Sequence, residues 1–348
     1  MTAAEQLEGV ALPGGWKITR QLPRGLDGTG GMFSQSYEVV RDGRKGFLKA
    51  FDFSEAFEDG QDTLAILNRL TAGYEHERTV LTHCADRSLS HVVIAIDHGH
   101  VQVPGLPIME GRVYYLIFEM ADGDVRCQMD LSTRFDAVWS MQALRDVCLG
   151  LWQVHKEMIA HQDTKPSNVL AYRDKTFKIA DFGRSSRKGH PVWHDDREIA
   201  GDRTYAPPEL LYGHTNADFV ARRVGCDLYM LGNLAAFLFS GRNVTAMLFE
   251  RLGSEHHPSQ WTGTYQQVLP YLNFAFTRLL EDLKPVIDET VCADVLRLIG
   301  ELCAPDLARR GHPRGIGRHN QYSLERYVST LDAASGRARL QVRLQAMA

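Results

Sequence analysis

His161-Gln162-Asp163-Thr164-Lys165-Pro166-Ser167-Asn168, followed downstream by Asp181-Phe182-Gly183, is the most specific stretch of this chain. A carboxylate, a lysine and an amide crowd ahead of one β-type run, Val169–Tyr172, and a second carboxylate closes the next, Phe177–Ala180. An isolated Asp or Asn in a loop is ordinarily a turn former or a helix cap. The ordered set makes a different demand. Phosphoryl transfer needs a carboxylate to take a hydroxyl proton, a cation for the γ-phosphate, and oxygen ligands for magnesium, which prefers octahedral oxygen coordination.

Upstream, the chain reads mainly as strands: Ile18, Arg20 and Leu22, then Tyr37–Arg41, Gly46–Phe51, Val92–Ile96 and Val113–Phe118. One helix interrupts them, with Leu64, Leu67, Leu70, Tyr74, Leu81 and Cys84 as its apolar stripe. Glu77 falls in the gap between Tyr74 and Leu81, and a carboxylate on a core-facing stripe needs a partner, because burying it alone is expensive. Beyond Gly123 the character changes. Val138, Met141, Leu144, Val147, Leu151, Val154 and Met158 recur at helical spacing, and helices dominate to the end. The expected architecture is α+β: a small β-rich lobe, a connector near Glu119–Asp124, and a larger α-helical lobe.

At these residues the chain resembles the eukaryotic-type protein kinase superfamily, from about Trp16 to Arg310. The resemblance implies the two-lobed kinase fold, with an N-terminal extension over 1–15, an N-lobe over 16–118, the hinge and C-lobe over 119–320, and a basic helical segment over 321–348. It implies Asp163 as catalytic base, Lys165 as the lysine steadying the γ-phosphate, and Asn168 and Asp181 as magnesium ligands. Lys49, in Gly46-Phe47-Leu48-Lys49-Ala50-Phe51, corresponds to the lysine on the α/β-phosphates, and Glu77 to its helix partner. Glu75 is the rival, turned away from the apolar stripe. Gly25, Gly28, Gly30 and Gly31 offer a phosphate cradle, but G-x-G-x-x-G-x-V fits only as Gly28-Thr29-Gly30, and Ser36 stands where a Val would cover adenine. In Phe118-Glu119-Met120-Ala121-Asp122-Gly123-Asp124, the backbone of Glu119 and Ala121 would bond adenine, Asp124 would reach the ribose, and Phe118 takes the gatekeeper position. Pro207-Pro208-Glu209 resembles the end of the activation segment. Glu209 would pair with Arg310, and Asp227 would brace the catalytic loop.

Two departures stand out. Gln162 replaces the arginine that usually precedes the catalytic Asp, so an added phosphate lacks its usual clamp and activation-loop phosphorylation is not expected to be required. Asp202 stands where serine/threonine kinases commonly carry Thr, while Lys165 favours Ser/Thr acceptors by family analogy. The expectation is an ATP- and magnesium-dependent serine/threonine-type kinase acting on protein substrates. The rivals are a nucleotide-binding pseudokinase or scaffold and a small-molecule phosphotransferase. The Pro-Pro-Glu segment and the Asp227 helix argue against the latter.

Composition agrees with a folded globular protein. The 348 residues allow roughly two compact units. With 44% hydrophobic and 24% charged residues the chain is not disordered, and a net charge of −4 makes it no electrostatic glove for nucleic acid. Leu228–Phe239 is too short and too interrupted for a bilayer, and Glu5 and Glu8 precede the first cation, Lys17, unlike a signal peptide. Cys84, Cys127, Cys148, Cys226, Cys292 and Cys303 form no C-x-x-C pair, which fits a reducing, cytoplasmic setting. Arg309, Arg310, Arg314, Arg318, Arg326, Arg337, Arg339 and Arg343 make the last segment basic. A solvated face is the simpler reading and an acidic partner the sharper one.

Overall fold

The computed structural model describes residues 1–347 except 24–33, 59, 61 and 130–135. The chain divides into two compact units, Met1–Asp122 and Gly123–Ala348.

The first unit holds strands β1 (Lys17–Gln21), β2 (Ser34–Arg41) and β3 (Arg44–Phe51), helix α1 (Thr63–Asp86), and strands β4 (Ala95–Gln102) and β5 (Arg112–Glu119). They form an antiparallel sheet in the order β1-β2-β3-β5-β4. Side chains alternate across a strand. Tyr37, Val39, Leu48, Ala50, Val113, Tyr115 and Ile117 therefore share one buried face, closed by Ala4, Leu7, Leu12 and Trp16. The first fifteen residues thus contribute to this core, and the Tyr37 hydroxyl donates to the Ala4 carbonyl at 2.6 Å.

Lys49, between Leu48 and Ala50, points to the opposite face. There Tyr74 of α1 packs edge-on against Phe51 (5.1 Å between centroids) and against Tyr114 (5.0 Å). Asp62 caps α1 by accepting from the Ala65 N–H. Two expectations need correction. Leu64, placed on the core stripe, is 70% exposed, because the first turn of α1 faces solvent and Ile66 turns inward instead. The run expected at Val92–Ile96 becomes a strand only from Ala95, where pairing with β5 begins; Val92 and Val93 are buried ahead of it.

The second unit holds β6 (Gly123–Asp124), α2 (Val125–Gln128), α3 (Ala137–Lys156), β7 (Ile159–Ala160), β8 (Val169–Ala171), β9 (Phe177–Ile179) and β10 (Ser186–Arg187). Helices α4 (Pro208–Leu211), α5 (Gly225–Ser240), α6 (Val244–Phe249), α7 (Tyr265–Leu283), α8 (Glu289–Leu302) and α9 (Glu325–Met347) follow. The short strands pair as β6-β8-β9 and β10-β7. On α3 the expected stripe is buried from Met141 to Val154. Helix α5 is buried on every side up to Phe239, which accounts for the apolar run Leu228–Phe239. Its one amide, Asn233, is satisfied: Nδ2 donates to the Tyr205 carbonyl and to Thr245 Oγ1, and Oδ1 accepts from the Val244 N–H. A Cβ on Gly232 would lie 2.4 Å from Cys303 Sγ, so glycine is what lets the end of α8 reach α5. Helix α9 buries Tyr327, Leu331, Ala334 and Ala338, and Asp332 binds Arg145 of α3 at 3.2 Å. Among the described residues no helix is long and apolar enough to cross a membrane.

Candidate active site

In the first unit, Lys49 Nζ lies 2.9 Å from both Glu77 carboxylate oxygens. Glu77 is 2% exposed, so the stripe's odd carboxylate has the cation it required. The rival, Glu75, faces outward and binds Arg78 one turn along. Glu119 ends β5, in register with Gly46 of β3, and Ala121 lies in the short link before β6. Phe118 is buried, its ring 6.3 Å from that of Phe47. Asp124, expected to reach a ribose, stands at the start of α2, where its Oδ1 accepts from the Cys127 N–H at 2.8 Å and caps the helix. Gly25, Gly28, Gly30 and Gly31 lie outside the described residues.

In the second unit, the loop after β7 carries the decisive stretch. Asp227 of α5 organises its backbone: Oδ2 accepts from the His161 N–H (2.7 Å) and from His155 Nε2 (2.8 Å), and Oδ1 from the Gln162 N–H (2.6 Å). His161 Nε2 donates to the Ala180 carbonyl while Nδ1 accepts from the Asp163 N–H, a pair of bonds that fits the neutral Nε2–H tautomer. Gln162 and Asp181 both adopt left-handed backbone (φ 63° and 64°), a conformation costly enough for most residues that it concentrates at functional sites.

Asp163 is 6% exposed and doubly held. Its Oδ1 accepts from the Asp202 N–H (2.8 Å), and its Oδ2 accepts from Asn168 Nδ2 (3.0 Å) and faces Lys165 Nζ (3.4 Å). Burial pushes the Asp163 carboxyl above the usual range. Lys165 opposes that shift, and the nearby charge of Asp181 adds to it. Burial alone would lower the Lys165 ammonium, but Asp163, Asp202 and Asp181 outweigh it and raise the pKa. Asp202 is held below the usual carboxylate range despite its burial, by hydrogen bonds from Thr204 and by Lys165.

The donor set suits magnesium. Asn168 commits its Nδ2 to the Asp163 carbonyl and carboxylate, which leaves its amide oxygen as the atom to offer a cation. Among the described residues no cluster of three or more His, Cys, Asp or Glu side chains could cage a metal. One carboxylate and one amide are what a magnesium ion bound largely through substrate phosphates and water requires.

Gln162 reaches partners that the sequence did not reveal. Its Nε2 donates to the Arg184 carbonyl (3.0 Å) and to Ser186 Oγ (2.8 Å), and its Oε1 accepts from Arg223 (2.7 Å). Arg223 also donates to the Asp195 carbonyl at 2.6 Å, and Ser186 Oγ donates to Asp195 Oδ1 at 2.6 Å. Elsewhere, Arg310 and Glu209 form a buried two-pronged pair, at 2.5 and 2.7 Å.

The family model for the protein kinase domain matches residues 72–320. This chain belongs to the protein kinase family. It is 29% identical over 224 residues to serine/threonine-protein kinase par-4 of Caenorhabditis elegans, covering 62% of this chain and 34% of that protein. CTD kinase subunit alpha of Saccharomyces cerevisiae is 26% identical over 266 residues (72% of this chain, 48% of the relative). Cell division control protein 2 homolog 1 of Trypanosoma brucei brucei is 31% identical over 145 residues (40% and 48%). The chain thus spans between a third and a half of the length of these curated relatives.

Proposed function

We propose that this protein transfers the γ-phosphoryl group of ATP to Ser or Thr hydroxyls of protein substrates, within a reducing, cytoplasmic compartment. The observation carrying the reading is the hydrogen-bonded set Asp163, Lys165 and Asn168, built on backbone that Asp227 holds. Asp163 takes the proton of the acceptor hydroxyl; the N–H of Asp202 and the amide of Asn168 fix the orientation of its carboxylate. Lys165 donates to the oxygens of the transferring group. Lys49, oriented by Glu77, binds the other phosphates, and the backbone of Glu119 and Ala121 receives adenine. The side chains of Asn168 and Asp181 would hold the metal. Magnesium, when bound, neutralises charge that develops on the phosphates. Gly28, Gly30 and Gly31 would cover the phosphates. Positioning and fixed charge provide nearly all the catalysis in this chemistry.

The test is incubation with γ-phosphate-labelled ATP and magnesium, with and without a generic protein acceptor, read by mass spectrometry. Phosphoserine or phosphothreonine should form, and Asp163→Asn should lower the rate at least about a hundred-fold. A wild type that binds ATP yet transfers no more than Asp163→Asn would be a pseudokinase.

A further inference from the structure

The feature that the phosphotransfer reading does not absorb is a third carboxylate beside the proposed base. Asp202 does two separate things. Its backbone N–H donates to Asp163 Oδ1, and its side-chain Oδ2 lies 3.4 Å from Lys165 Nζ, the same distance that separates Lys165 from Asp163. One ammonium is therefore shared by two carboxylates.

The position of Asp202 is set by the chain before it. A Cβ on Gly201 would fall 2.3 Å from the Gln162 carbonyl oxygen and 2.6 Å from Asp163 Oδ1, so any side chain there would push the two strands of backbone apart. The side chain of Asp202 is tied down as well, because Oδ1 accepts from the Thr204 N–H at 2.9 Å. Yet 28% of it remains open to solvent, against 8% for Asp163. An acceptor hydroxyl must approach Asp163, and the residues flanking that hydroxyl then meet the carboxylate of Asp202. Lys165 is divided between Asp163 and Asp202, so a single ammonium faces two carboxylates. Fixed charge in a partly desolvated site discriminates between partners mainly by rejecting like charge.

We propose that Asp202 is a specificity-determining residue that selects Ser or Thr acceptors flanked by Lys or Arg and rejects those flanked by acidic or phosphorylated residues. The inference rests on the phosphotransfer reading. A threonine at this position would keep the backbone bond to Asp163 without imposing a charge on the acceptor, so the selection belongs to this chain's own side chain.

Two synthetic peptides, identical except that the single Ser is flanked by Arg in one and by Glu in the other, test it in the 348-residue chain with ATP and magnesium. The wild type should favour the Arg peptide in kcat/KM by about ten-fold or more, a difference of about 1.4 kcal/mol. Added salt should shrink that ratio. Asp202→Asn keeps both the backbone N–H and an acceptor for Thr204, and it should reduce the ratio to about three-fold or less. Asp202→Thr should do the same. A wild type without preference, or a preference that both variants retain, overturns the proposal. Loss of transfer to both peptides in both variants also overturns it, since Asp202 would then serve the chemistry itself. A wild type that phosphorylates neither peptide, nor itself, nor a generic protein overturns the phosphotransfer reading and takes this inference with it.

Discussion

In each unit of the chain a buried ion pair joins distant segments, Lys49–Glu77 in the first and Arg310–Glu209 in the second, and these two pairs are built differently. In the first unit Lys49 meets Glu77 with a compact ammonium, and 16% of the lysine side chain stays exposed. In the second, Arg310 is completely buried: two nitrogens go to Glu209, Nε donates to the Ala304 carbonyl at 3.0 Å, and the Tyr229 ring lies 5.1 Å from the guanidinium carbon. Glu209 raises the Arg310 pKa against the pull of burial. A planar guanidinium with fixed donors suits a closed, two-pronged contact, whereas an ammonium is a point charge that can serve a further anion. One pair is closed off by the protein, and the other leaves part of its cation exposed. Burial of an ion pair is thus no guide to function unless the exposure of the cation is read with it.

The largest stability effects should fall on the closed pair. Glu209→Ala and Arg310→Ala each leave an uncompensated buried charge, a loss of roughly 3–5 kcal/mol. The double variant should lose much less than the sum, by a coupling of at least about 1 kcal/mol. Arg309, next in sequence but exposed, is the control, and Arg309→Ala should stay within about 0.5 kcal/mol. Denaturant titration of the four proteins measures the cycle. Additive losses would mean that the two side chains are not coupled, and the comparison would collapse.

The open pair should behave in the reverse sense. Lys49→Met should slow phosphoryl transfer by about a hundred-fold, roughly 2.7 kcal/mol of barrier. It should cost less stability than Arg310→Ala, because the site admits water and Glu77 can take up a proton. Magnesium-ATP at about 100 times its dissociation constant should stabilise the wild type by about 2.7 kcal/mol, with a smaller gain in Lys49→Met. Thermal shift and turnover measured on the same preparations separate the two effects. Unchanged turnover in Lys49→Met would assign the phosphates to a different cation.

How far each pair could be read from sequence follows from its setting. Glu77 was legible because a carboxylate broke an apolar helical stripe, and the stripe gave it a face. Glu209 and Arg310 carry no such local signal, and only the family resemblance joined them. Arg223 and Asp195 were invisible for a related reason. An arginine before an apolar helix reads as a surface charge, and nothing nearby in sequence says that it is buried against Gln162. The strands were legible where alternation was strong. They shifted at Val92–Ile96, where the partner strand and not the apolar run set the start. Leu64 failed because periodicity gives a face but not where that face leaves the core.

Gln162 yields the smallest expected effect and the finest test of the same contrast, since here a neutral amide stands in for an ion-pairing cation. With arginine at this position, a phosphate added downstream would complete the clamp. In this protein the amide already has its partners: Arg223 on one side, Ser186 and the Arg184 carbonyl on the other. Asp195 provides the anion for Arg223. Ser185 and Ser186 are buried, with hydroxyls bonded to the Phe182 carbonyl and to Asp195, so neither presents itself to a modifying enzyme in this arrangement. Phosphatase treatment should therefore change turnover by less than about two-fold, since the segment is pinned by groups already in the chain. Substitution is the blunter instrument. Ser186→Ala removes one of the two acceptors of Gln162 Nε2 and a donor to Asp195, and should cost about 1–3 kcal/mol of stability whether or not phosphate matters. Thr204 is exposed and is the better control, and Thr204→Ala should be read for KM toward the acceptor as well as kcat. A ten-fold loss after phosphatase treatment, with folding intact, would show that an added phosphate completes the clamp, and Gln162 would then be a weakened form of the arginine it replaces.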